Sequence, residues 1–437
     1  MKKSNALALI PIGVFVAFYL SLGIVFEYIM KIPMGFYNVP VIIAFLIALF
    51  VAVIQTKGIN LDKKFEIMGQ GVGDKNIITM LLIFLLAGIF VGVVGRSSAE
   101  SVAYFMLSVT PPKLAVVVLF LISCFVSTAM GTSVGTITLI TPIAVAVSEG
   151  SGFSMSLCVG TVVGGAMFGD NLSFISDTTI AACNGQGCKM KDKFRTNLAI
   201  VVPAALVTLV LIFALSFNSE ISDEIVKDYD LIQVIPYVLV LICGIIGINV
   251  FITLLVGILS GSIIMITLGT VTFPELLSGM GTGASGMFET SMVAILVSAL
   301  CALIKYNGGF EALLNGIRRV FRGKKGGQLG IGLLVGLMDV ATANNTVAIV
   351  MANPIAGAMA KDFDISPRKT ASILDTFSCI SQGFLPYGAQ ILVALSVVTT
   401  LGYEMSALDI IKNLFYPMML LISSLIFIFL IPEKKNV

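Results

Sequence analysis

Residues 130–179 read MGTSVGTITLITPIAVAVSEGSGFSMSLCVGTVVGGAMFGDNLSFISDTT, a stretch that interrupts a strongly apolar chain with hydroxyls, glycines and two aspartates. The chain is 57% hydrophobic and only 11% charged. Asp170 and Asp177 would be costly inside a bilayer unless they face water, an ion or a substrate. The stretch is therefore a candidate functional site.

The runs on either side of this stretch are apolar and long enough to cross a bilayer, and the mean hydropathy is +1.05. The net charge is +2, and the charges lie in short clusters between the apolar runs, so we expect no nucleic-acid surface. These patterns predict an all-α polytopic membrane protein whose partners are the lipid bilayer, ions and small solutes. The N-terminal apolar run continues to Phe26 without a cleavage site and is predicted to be a retained first helix.

Hydropathy and helix-breaking residues divide the chain into regular and irregular membrane segments. Full spans are predicted at about residues 7–26, 39–56, 77–95, 196–217, 231–247, 249–269, 287–304 and 410–431. Small polar clusters interrupt 113–149 and 326–360, which we interpret as re-entrant helical hairpins. Glycine, proline and polar residues interrupt 154–187 and 368–401, which we interpret as broken helices. The prediction is about ten transmembrane helices, two of them broken, plus two hairpins.

A constant shift in residue number relates the two halves of the chain. It places Pro142-Ile143-Ala144 on Pro354-Ile355-Ala356, and we call this shift the repeat offset. The hairpins, the broken helices and the later spans follow it, whereas the first span fits it poorly. We interpret residues 1–437 as a single integral membrane transporter with one repeat at 27–217 and a second at 239–431.

Basic clusters indicate how the repeats are oriented. Lys and Arg concentrate after the second span, before residue 196 and before residue 326, and all three clusters can lie on the cytoplasmic side together. The two repeats then have opposite orientations, and the hairpins enter from opposite faces. We predict a multi-pass protein of the plasma membrane with both termini in the cytoplasm.

The hairpins are predicted to turn at Gly131-Thr132-Ser133 and at Asn344-Asn345-Thr346. A half-helix that begins inside the membrane, together with hydroxyl, amide and carboxylate oxygens, suits the binding of Na⁺ or a small solute. The alternatives are that such side chains only join helices, or that an aspartate caps one. The predicted ion- or substrate-binding residues are Thr132, Ser133, Asp170, Asn171, Ser173, Ser176, Asp177, Thr178, Asn344, Asn345, Thr346, Gln382, Gly388 and Gln390.

Carboxylates are the expected proton carriers, because the chain has no histidine. Asp177 is the preferred Na⁺ ligand, followed by Asp170, and the proton-coupling candidates are Asp177, Asp170, Asp339 and Asp375. No nucleotide loop, metal cluster or nucleophile and base pair is evident, so we predict a protein that is not an enzyme and has no cofactor besides Na⁺ and H⁺ as coupling ions. Gly281-x-Gly283-x-x-Gly286 has no surrounding βαβ unit, so we interpret these glycines as sites of close packing or as a flexible connection.

The motif FGDNLSFISDTT, preceded by GTSVGTITLITPIA, resembles the signature of NhaC-type Na⁺/H⁺ antiporters. NNTVAIVMANPIA and FLPYGAQ are similar to segments of the wider ion transporter superfamily. The resemblance implies a homodimer whose scaffold domains dimerise and whose transport domains move as elevators. It implies one site at Thr132, Ser133, Asp170, Asn171, Ser176 and Asp177, with a counterpart at Asn344, Asn345, Thr346 and Gln390. The chain departs from the family at Phe174, where a proline is expected, and at the first tip, which lacks a full Ser-Asn-Thr.

The leading functional hypothesis is a sodium-coupled secondary transporter in which Na⁺ and H⁺ compete at a midplane carboxylate. The alternative is a Na⁺-driven permease or exchanger for an amino acid or small carboxylate on the same fold. A channel is the third possibility, but duplicated hairpins favour alternating access.

Overall fold

The computed structural model describes residues 4–32, 39–173, 176–218, 228–246 and 248–430, and every regular element in these ranges is helical. In lipid, helices satisfy their backbone hydrogen bonds internally, which explains why such apolar runs fold this way. The α-helices of the described residues are α1 (Ile10–Ile24), α2 (Val41–Gln55), α3 (Leu61–Val72), α4 (Lys75–Val109), α5 (Ala115–Met130), α6 (Ser133–Ser151), α7 (Met155–Leu172), α8 (Asp177–Gln186), α9 (Met190–Asn218), α10 (Leu231–Ile246), α11 (Val250–Thr267), α12 (Phe273–Gly286), α13 (Phe288–Tyr306), α14 (Gly309–Val320), α15 (Gly323–Thr342), α16 (Asn345–Asp362), α17 (Pro367–Phe384), α18 (Ala389–Thr400), α19 (Ala407–Lys412) and α20 (Phe415–Leu430).

The predicted class, an all-α polytopic membrane protein, is confirmed. Among the described residues, 7 helices are long and apolar enough to cross a membrane, or up to 9 if each of two bent pairs is one span. Shorter apolar helices at Val41–Gln55, Leu231–Val240 and Phe415–Leu430 accompany them. The predicted spans at 39–56 and 410–431 correspond to α2 and α20, whose helical parts are shorter than the apolar runs that contain them.

Helices α3 and α12 occupy stretches where hydropathy predicted no span. Both are short and amphipathic, and their starts are encoded locally. The Asn60 side chain caps α3, and α12 begins with a capping box in which Thr272 and Glu275 bond each other's backbone N–H groups. They were missed because a hydropathy window detects long apolar runs. In a short amphipathic helix, the window averages the apolar face with the polar face.

Glycines bring α4 and α12 into backbone contact. A Cβ atom built on Gly283 would lie 2.0 Å from the Gly88 carbonyl oxygen, and one on Gly92 would lie 2.1 Å from that of Gly279. The packing interpretation of the glycine motif is thus confirmed at Gly283. It also holds at Gly286, whose Cβ would lie 2.4 Å from the Thr400 hydroxyl oxygen.

The substitution Gly283→Ala is expected to lower the free energy of unfolding by about 1–3 kcal/mol, because the added methyl group must push two helix backbones apart. Gly281→Ala is the matched control, since a Cβ there meets nothing within 4 Å. Thermal unfolding of the detergent-purified proteins measures both. Equal melting temperatures for the two variants would contradict the proposed packing.

Two helical hairpins and two broken helices form the centre of the molecule. We call α5 with α6 hairpin 1, and α15 with α16 hairpin 2. The first broken helix is α7 with α8, and the second is α17 with α18, where Pro367–Phe384 and Ala389–Thr400 are bent by 41°. Phe174, the departure from the family motif, lies outside the described residues.

Helix contacts recur at the repeat offset. Helix α5 packs on α7, and α15 packs on α17. In the first pair Gly165 meets the Phe120 backbone, and in the second pair Gly332 meets the Phe377 ring, so the small and large residues are exchanged between equivalent positions. Other contacts cross between the halves, because α8 packs on α16 and α18 packs on α6. The crossing brings both hairpin turns and both helix breaks together.

Candidate functional site

The turns of the two hairpins have the same backbone geometry. Gly131 (φ 70°, ψ 22°) ends α5 and Ala343 (φ 50°, ψ 23°) ends α15, both in the left-handed region. The next residues, Thr132 and Asn344, are extended and cap α6 and α16 with their side chains. The second turn therefore lies at Ala343-Asn344, slightly before the predicted position, and Asn345 already begins α16. Each turn exposes first-turn N–H groups that have no intrahelical partner.

Asp170 joins the two hairpin turns. It lies near the C-terminal end of α7 and is buried. Its Oδ1 accepts a hydrogen bond from the Ser133 N–H (3.1 Å), and its Oδ2 accepts one from the Asn345 amide (3.3 Å). Its backbone carbonyl accepts hydroxyl hydrogen bonds from Ser176 and Thr178, both at 3.0 Å. One carboxylate thus connects both hairpins, and hydroxyl groups at the start of α8 bond the backbone of the same residue.

Two glutamines of the second broken helix complete the connection. The Gln390 amide donates to the Ser133 hydroxyl (3.1 Å), and the Gln382 amide donates to the Ala343 carbonyl (3.0 Å). At the repeat offset, Gln382 corresponds to Asp170. The two halves therefore place a neutral amide and a carboxyl group at equivalent positions, and the charge is on one side only.

A cavity of about 60 Å³ lies between these groups. It is lined by Thr79, Ile83, Gly131, Thr132, Ser133, Val134, Asp170, Asp177, Thr178, Asn344, Asn345, Thr346, Ala389 and Gln390. A water molecule takes up about 30 Å³ in the liquid, whereas sites for organic ligands usually measure about 300–1,000 Å³. The space holds a cation and water, and it is well below the size usual for organic ligands. Carboxylate, hydroxyl and amide oxygens are the ligands that hard cations prefer.

Nine of the predicted site residues line this cavity and five do not. The five are Asn171, Ser173, Ser176, Gln382 and Gly388, which support the site from behind or flank the helix breaks. Five lining residues were not among the predicted site residues. Gly131, Val134 and Ala389 are direct neighbours of predicted residues, whereas Thr79 and Ile83 of α4 carry no recognisable signal, because they lie in an ordinary apolar span.

Asp170 and Asp177 have different environments. Asp177 is the first residue of α8 and is exposed at the rim of the cavity, while Ser176 is the residue that caps this helix. Asp170 is buried and caps no helix. Asp170 is therefore the carboxylate enclosed by both hairpin turns, whereas Asp177, which the sequence favoured as the Na⁺ ligand, lies at the rim.

A buried ion pair lies directly behind Asp170. The Lys193 ammonium is 2.8 Å from Asp375 Oδ2, and the side chains are 1% and 0% exposed. The amides of Asn197 (2.8 Å) and Asn171 (3.1 Å) donate to the same oxygen. Lys193 belongs to the basic cluster before the span predicted at 196, where a loop position is expected. Because α9 already begins at Met190, Lys193 instead points into the protein.

Asn171 connects this pair to the cavity. Its carbonyl accepts from the Lys193 ammonium (3.0 Å) and its side-chain oxygen accepts from the Tyr416 hydroxyl (2.8 Å). The ammonium also donates to the Thr179 hydroxyl at 2.7 Å. Helices α7, α8, α9, α17 and α20 thus meet at one polar network. The network fixes the end of α7 that carries Asp170.

A partly open chamber of about 390 Å³ lies beside the site, between α3, α13 and α16. It shares Ile77 and Ser298 with a cavity of about 20 Å³, which in turn shares Asn344 and Ala389 with the cavity at Asp170. The three spaces therefore follow one another from the surface to the carboxylate. Polar residues of the chamber include Gln70, Asp74, Ser298, Lys305 and Tyr306.

Fold and site together define a multi-pass membrane protein with a small, oxygen-lined internal site. The model of the Na⁺/H⁺ antiporter family matches residues 5–217 and 227–432, so the chain belongs to that family. The resemblance predicted from FGDNLSFISDTT is confirmed.

Individual relatives align over part of their length. The chain is 26% identical over 212 residues to the malate-2H⁺/Na⁺-lactate antiporter of Bacillus subtilis, covering 48% of this chain and 42% of that protein. It is 30% identical over 166 residues to the Na⁺/H⁺ antiporter NhaC of the same organism, covering 37% and 36%. The NhaC of Alkalihalophilus pseudofirmus is 27% identical over 174 residues, covering 40% and 37%. The alignments thus cover well under half of these relatives.

The crystal structure of the Alcanivorax borkumensis YdaH transporter matches with a TM-score of 0.47 and 13% identity, over 96% of this chain and 97% of that one.

Proposed function

We propose that this protein is a secondary transporter that exchanges Na⁺ for H⁺ at Asp170. The observation that carries the proposal is the cavity of about 60 Å³ formed by both hairpin turns around this one buried carboxylate. The proposal agrees with membership in the Na⁺/H⁺ antiporter family.

Competition between Na⁺ and H⁺ for Asp170 couples the movement of the two ions. The carboxylate accepts the Ser133 N–H and the Asn345 amide, and these donors together with the N-terminal ends of α6 and α16 offset part of the cost of burying its charge. A carboxylate has about four acceptor positions, so lone pairs remain for Na⁺. Either Na⁺ or a proton neutralises the charge, and each excludes the other. Hydroxyl and amide oxygens of Thr132, Asn344 and Gln390 would complete the Na⁺ shell.

Alternating access is proposed from the repeats at 27–217 and 239–431. The crossed contacts, in which α8 packs on α16 and α18 on α6, support a transport domain made of the two hairpins and two broken helices. We propose that this domain moves as an elevator against a scaffold containing α2–α4 and α11–α13. Homodimerisation through the scaffold belongs to the same proposal.

The position of the chamber suggests which side of the membrane this conformation opens to. Helix α3, which lines it, carries Lys63 and Lys64 of a basic cluster, and such clusters lie on the cytoplasmic side. We therefore infer a conformation open to the cytoplasm, in a plasma-membrane protein with both termini inside.

The second candidate function is Na⁺-driven exchange of a small organic carboxylate. The observation in its favour is the chamber of about 390 Å³, which has the size of a small-molecule site and includes Lys305 in its lining. One relative is named a malate and lactate antiporter. The cavity at Asp170, at about 60 Å³, is far smaller than the usual site for such a solute. In this variant of the mechanism, the organic anion would bind in the chamber while Na⁺ binds at Asp170.

Proteoliposomes loaded with Na⁺ and a pH dye test the two functions. The expected result is proton entry on dilution into Na⁺-free medium, without any organic solute and with no acceleration by malate, lactate or amino acids. Protein-free liposomes are the background control. A pH change that requires malate or lactate would favour the second function, and no pH change under any condition would overturn both.

A further inference from the structure

Two cysteines lie on either side of the turn that joins α8 to α9. Gly187 ends α8 with a left-handed backbone (φ 65°, ψ 30°). The Cys188 N–H donates to the Cys183 carbonyl (3.1 Å), and the Gly187 N–H donates to the Asn184 carbonyl (3.3 Å). These two hydrogen bonds define a Schellman motif, a helix end in which the side chains of the outer bonded pair commonly touch. Here both residues of that pair are cysteines.

The motif holds Cys183 and Cys188 close enough for a disulfide. A disulfide needs α-carbons that are about 4.4–6.8 Å apart. The hydrogen bond from the Cys188 N–H to the Cys183 carbonyl limits this separation, because the carbonyl and the N–H are each attached directly to their own α-carbon. The side chains also meet, since the Cys183 thiol donates a hydrogen bond to the Cys188 sulfur. Closing an S–S bond therefore requires little movement of the backbone.

The two thiols differ in exposure. Cys183 is 1% exposed, whereas Cys188 is partly exposed and lies between the exposed residues Gly187 and Lys189. A small reagent in water therefore reaches Cys188 first. The remaining cysteines are all buried, namely Cys124, Cys158, Cys243, Cys301 and Cys379.

The surroundings of Cys188 favour its thiolate, which is the form that reacts with oxidants. The hydrogen bond from Cys183 lowers the pKa of the Cys188 thiol, and the nearby Lys193 ammonium lowers this pKa further. Partial burial and the Asp192 carboxylate oppose the shift without reversing it. The ion pair with Asp375 (2.8 Å) keeps the Lys193 ammonium in place beside the turn.

The turn belongs to a basic cluster that we place on the cytoplasmic side, and its residues Lys189 and Lys191 are exposed. The cytoplasm keeps thiols reduced, and the disulfides that form there are usually transient and redox-sensing. Both cysteines are free thiols in this structure. The reduced pair is therefore the resting form, and an oxidant changes it.

We propose that Cys183 and Cys188 are a redox modification site, at which hydrogen peroxide converts the two thiols into one intramolecular disulfide. The Cys188 thiolate attacks a peroxide oxygen and breaks the O–O bond. This step gives a sulfenic acid and a hydroxide ion, which takes up a proton to become water. The Cys183 thiol then attacks the Cys188 sulfur, loses its proton, forms the S–S bond and releases a second water. The two sulfurs lose two electrons, and the peroxide gains them.

This modification goes beyond the exchange function and does not depend on it. The S–S bond would close a covalent ring around Gly187, between α8, which begins at the rim of the cavity, and α9, which carries Lys193. Small thiols would reverse the reaction by exchange with the disulfide.

The test treats the purified full-length protein with hydrogen peroxide, alkylates the remaining thiols after denaturation, and identifies the peptides by mass spectrometry. The wild type is expected to form the Cys183–Cys188 disulfide, which a thiol reductant reverses, roughly tenfold faster than any buried cysteine is oxidised. Cys183→Ser is expected to stop at the sulfenic acid of Cys188, which dimedone traps. Cys188→Ser is expected to leave Cys183 reduced.

The wild-type peptides decide the matter even if both variants fail to fold. A wild-type protein in which Cys188 stays reduced, or in which it ends as a sulfenic acid or an intermolecular disulfide, would overturn the inference. Oxidation of Cys183 at the wild-type rate in folded Cys188→Ser would also overturn it, because Cys188 would then not be the residue that meets the peroxide. None of these measurements uses transport, so the exchange function is judged separately.

Discussion

Asp170→Asn is expected to abolish Na⁺-dependent proton movement, whereas Asp177→Asn is expected to slow it by no more than about fivefold. Asp170 is buried between both hairpin turns, and its charge is the main attraction that the cavity offers a cation. Two unit charges about 4 Å apart attract by about 4 kcal/mol at an effective dielectric constant of 20, which is roughly a thousandfold in affinity. The asparagine side chain keeps the shape of the aspartate but loses this electrostatic attraction.

Asp177 is the matched control for this prediction, because it is an aspartate on the rim of the same cavity but is exposed to solvent. Water screens its charge, so its contribution is expected to stay below about 1 kcal/mol. The proteoliposome assay measures transport, and the rise in melting temperature with added Na⁺ measures binding independently. The opposite ranking, with Asp177→Asn inactive and Asp170→Asn active, would return the cation site to the residue that the sequence favoured.

Breaking the Lys193–Asp375 pair from either side is expected to lower the free energy of unfolding by about 3–5 kcal/mol. Both Lys193→Met and Asp375→Asn leave one charge in an interior where the pair is 1% and 0% exposed. The double variant removes both charges, so its loss is expected to be well below the sum of the single losses. Thermal unfolding of the four purified proteins completes the cycle.

The pair formed by Lys63 and Glu66 is a control for the cycle. Its atoms are also 2.8 Å apart, but the side chains are 48% and 53% exposed. Lys63→Met is therefore expected to change the free energy of unfolding by less than about 1 kcal/mol. Additive losses in the buried cycle would mean that Lys193 and Asp375 do not stabilise each other.

Local signals in the sequence predicted much of the central structure. Gly131 can adopt the left-handed backbone that ends α5, and Thr132 and Asn344 are helix-capping residues. Such features depend on a few neighbouring residues, so the hairpins and broken helices could be located by inspection. The same clusters supplied most of the residues that line the cavity, including Asp170 and Asn345.

Other features depend on how distant helices pack, which local patterns do not encode. Lys193 looked like a loop charge because its cluster precedes an apolar run, but α9 begins early enough to turn it towards Asp375, which is distant in sequence. Thr79 and Ile83 reach the cavity only because α4 passes beside the hairpin turns. Helices α3 and α12 are stabilised by glycine contacts that appear only when the two halves meet.

By itself, the sequence determined that this protein is an all-helical membrane protein, and it predicted a duplicated chain with a polar site at its hairpin turns. Hydropathy, capping residues and the repeat offset are properties of the chain that hold before it folds. Only the tertiary structure decided that Asp170 is enclosed while Asp177 faces solvent, and that Asp375 is already paired with Lys193. The physical reason is burial, because the energy of a carboxylate depends on the donors, cations and water that packing brings within a few ångströms.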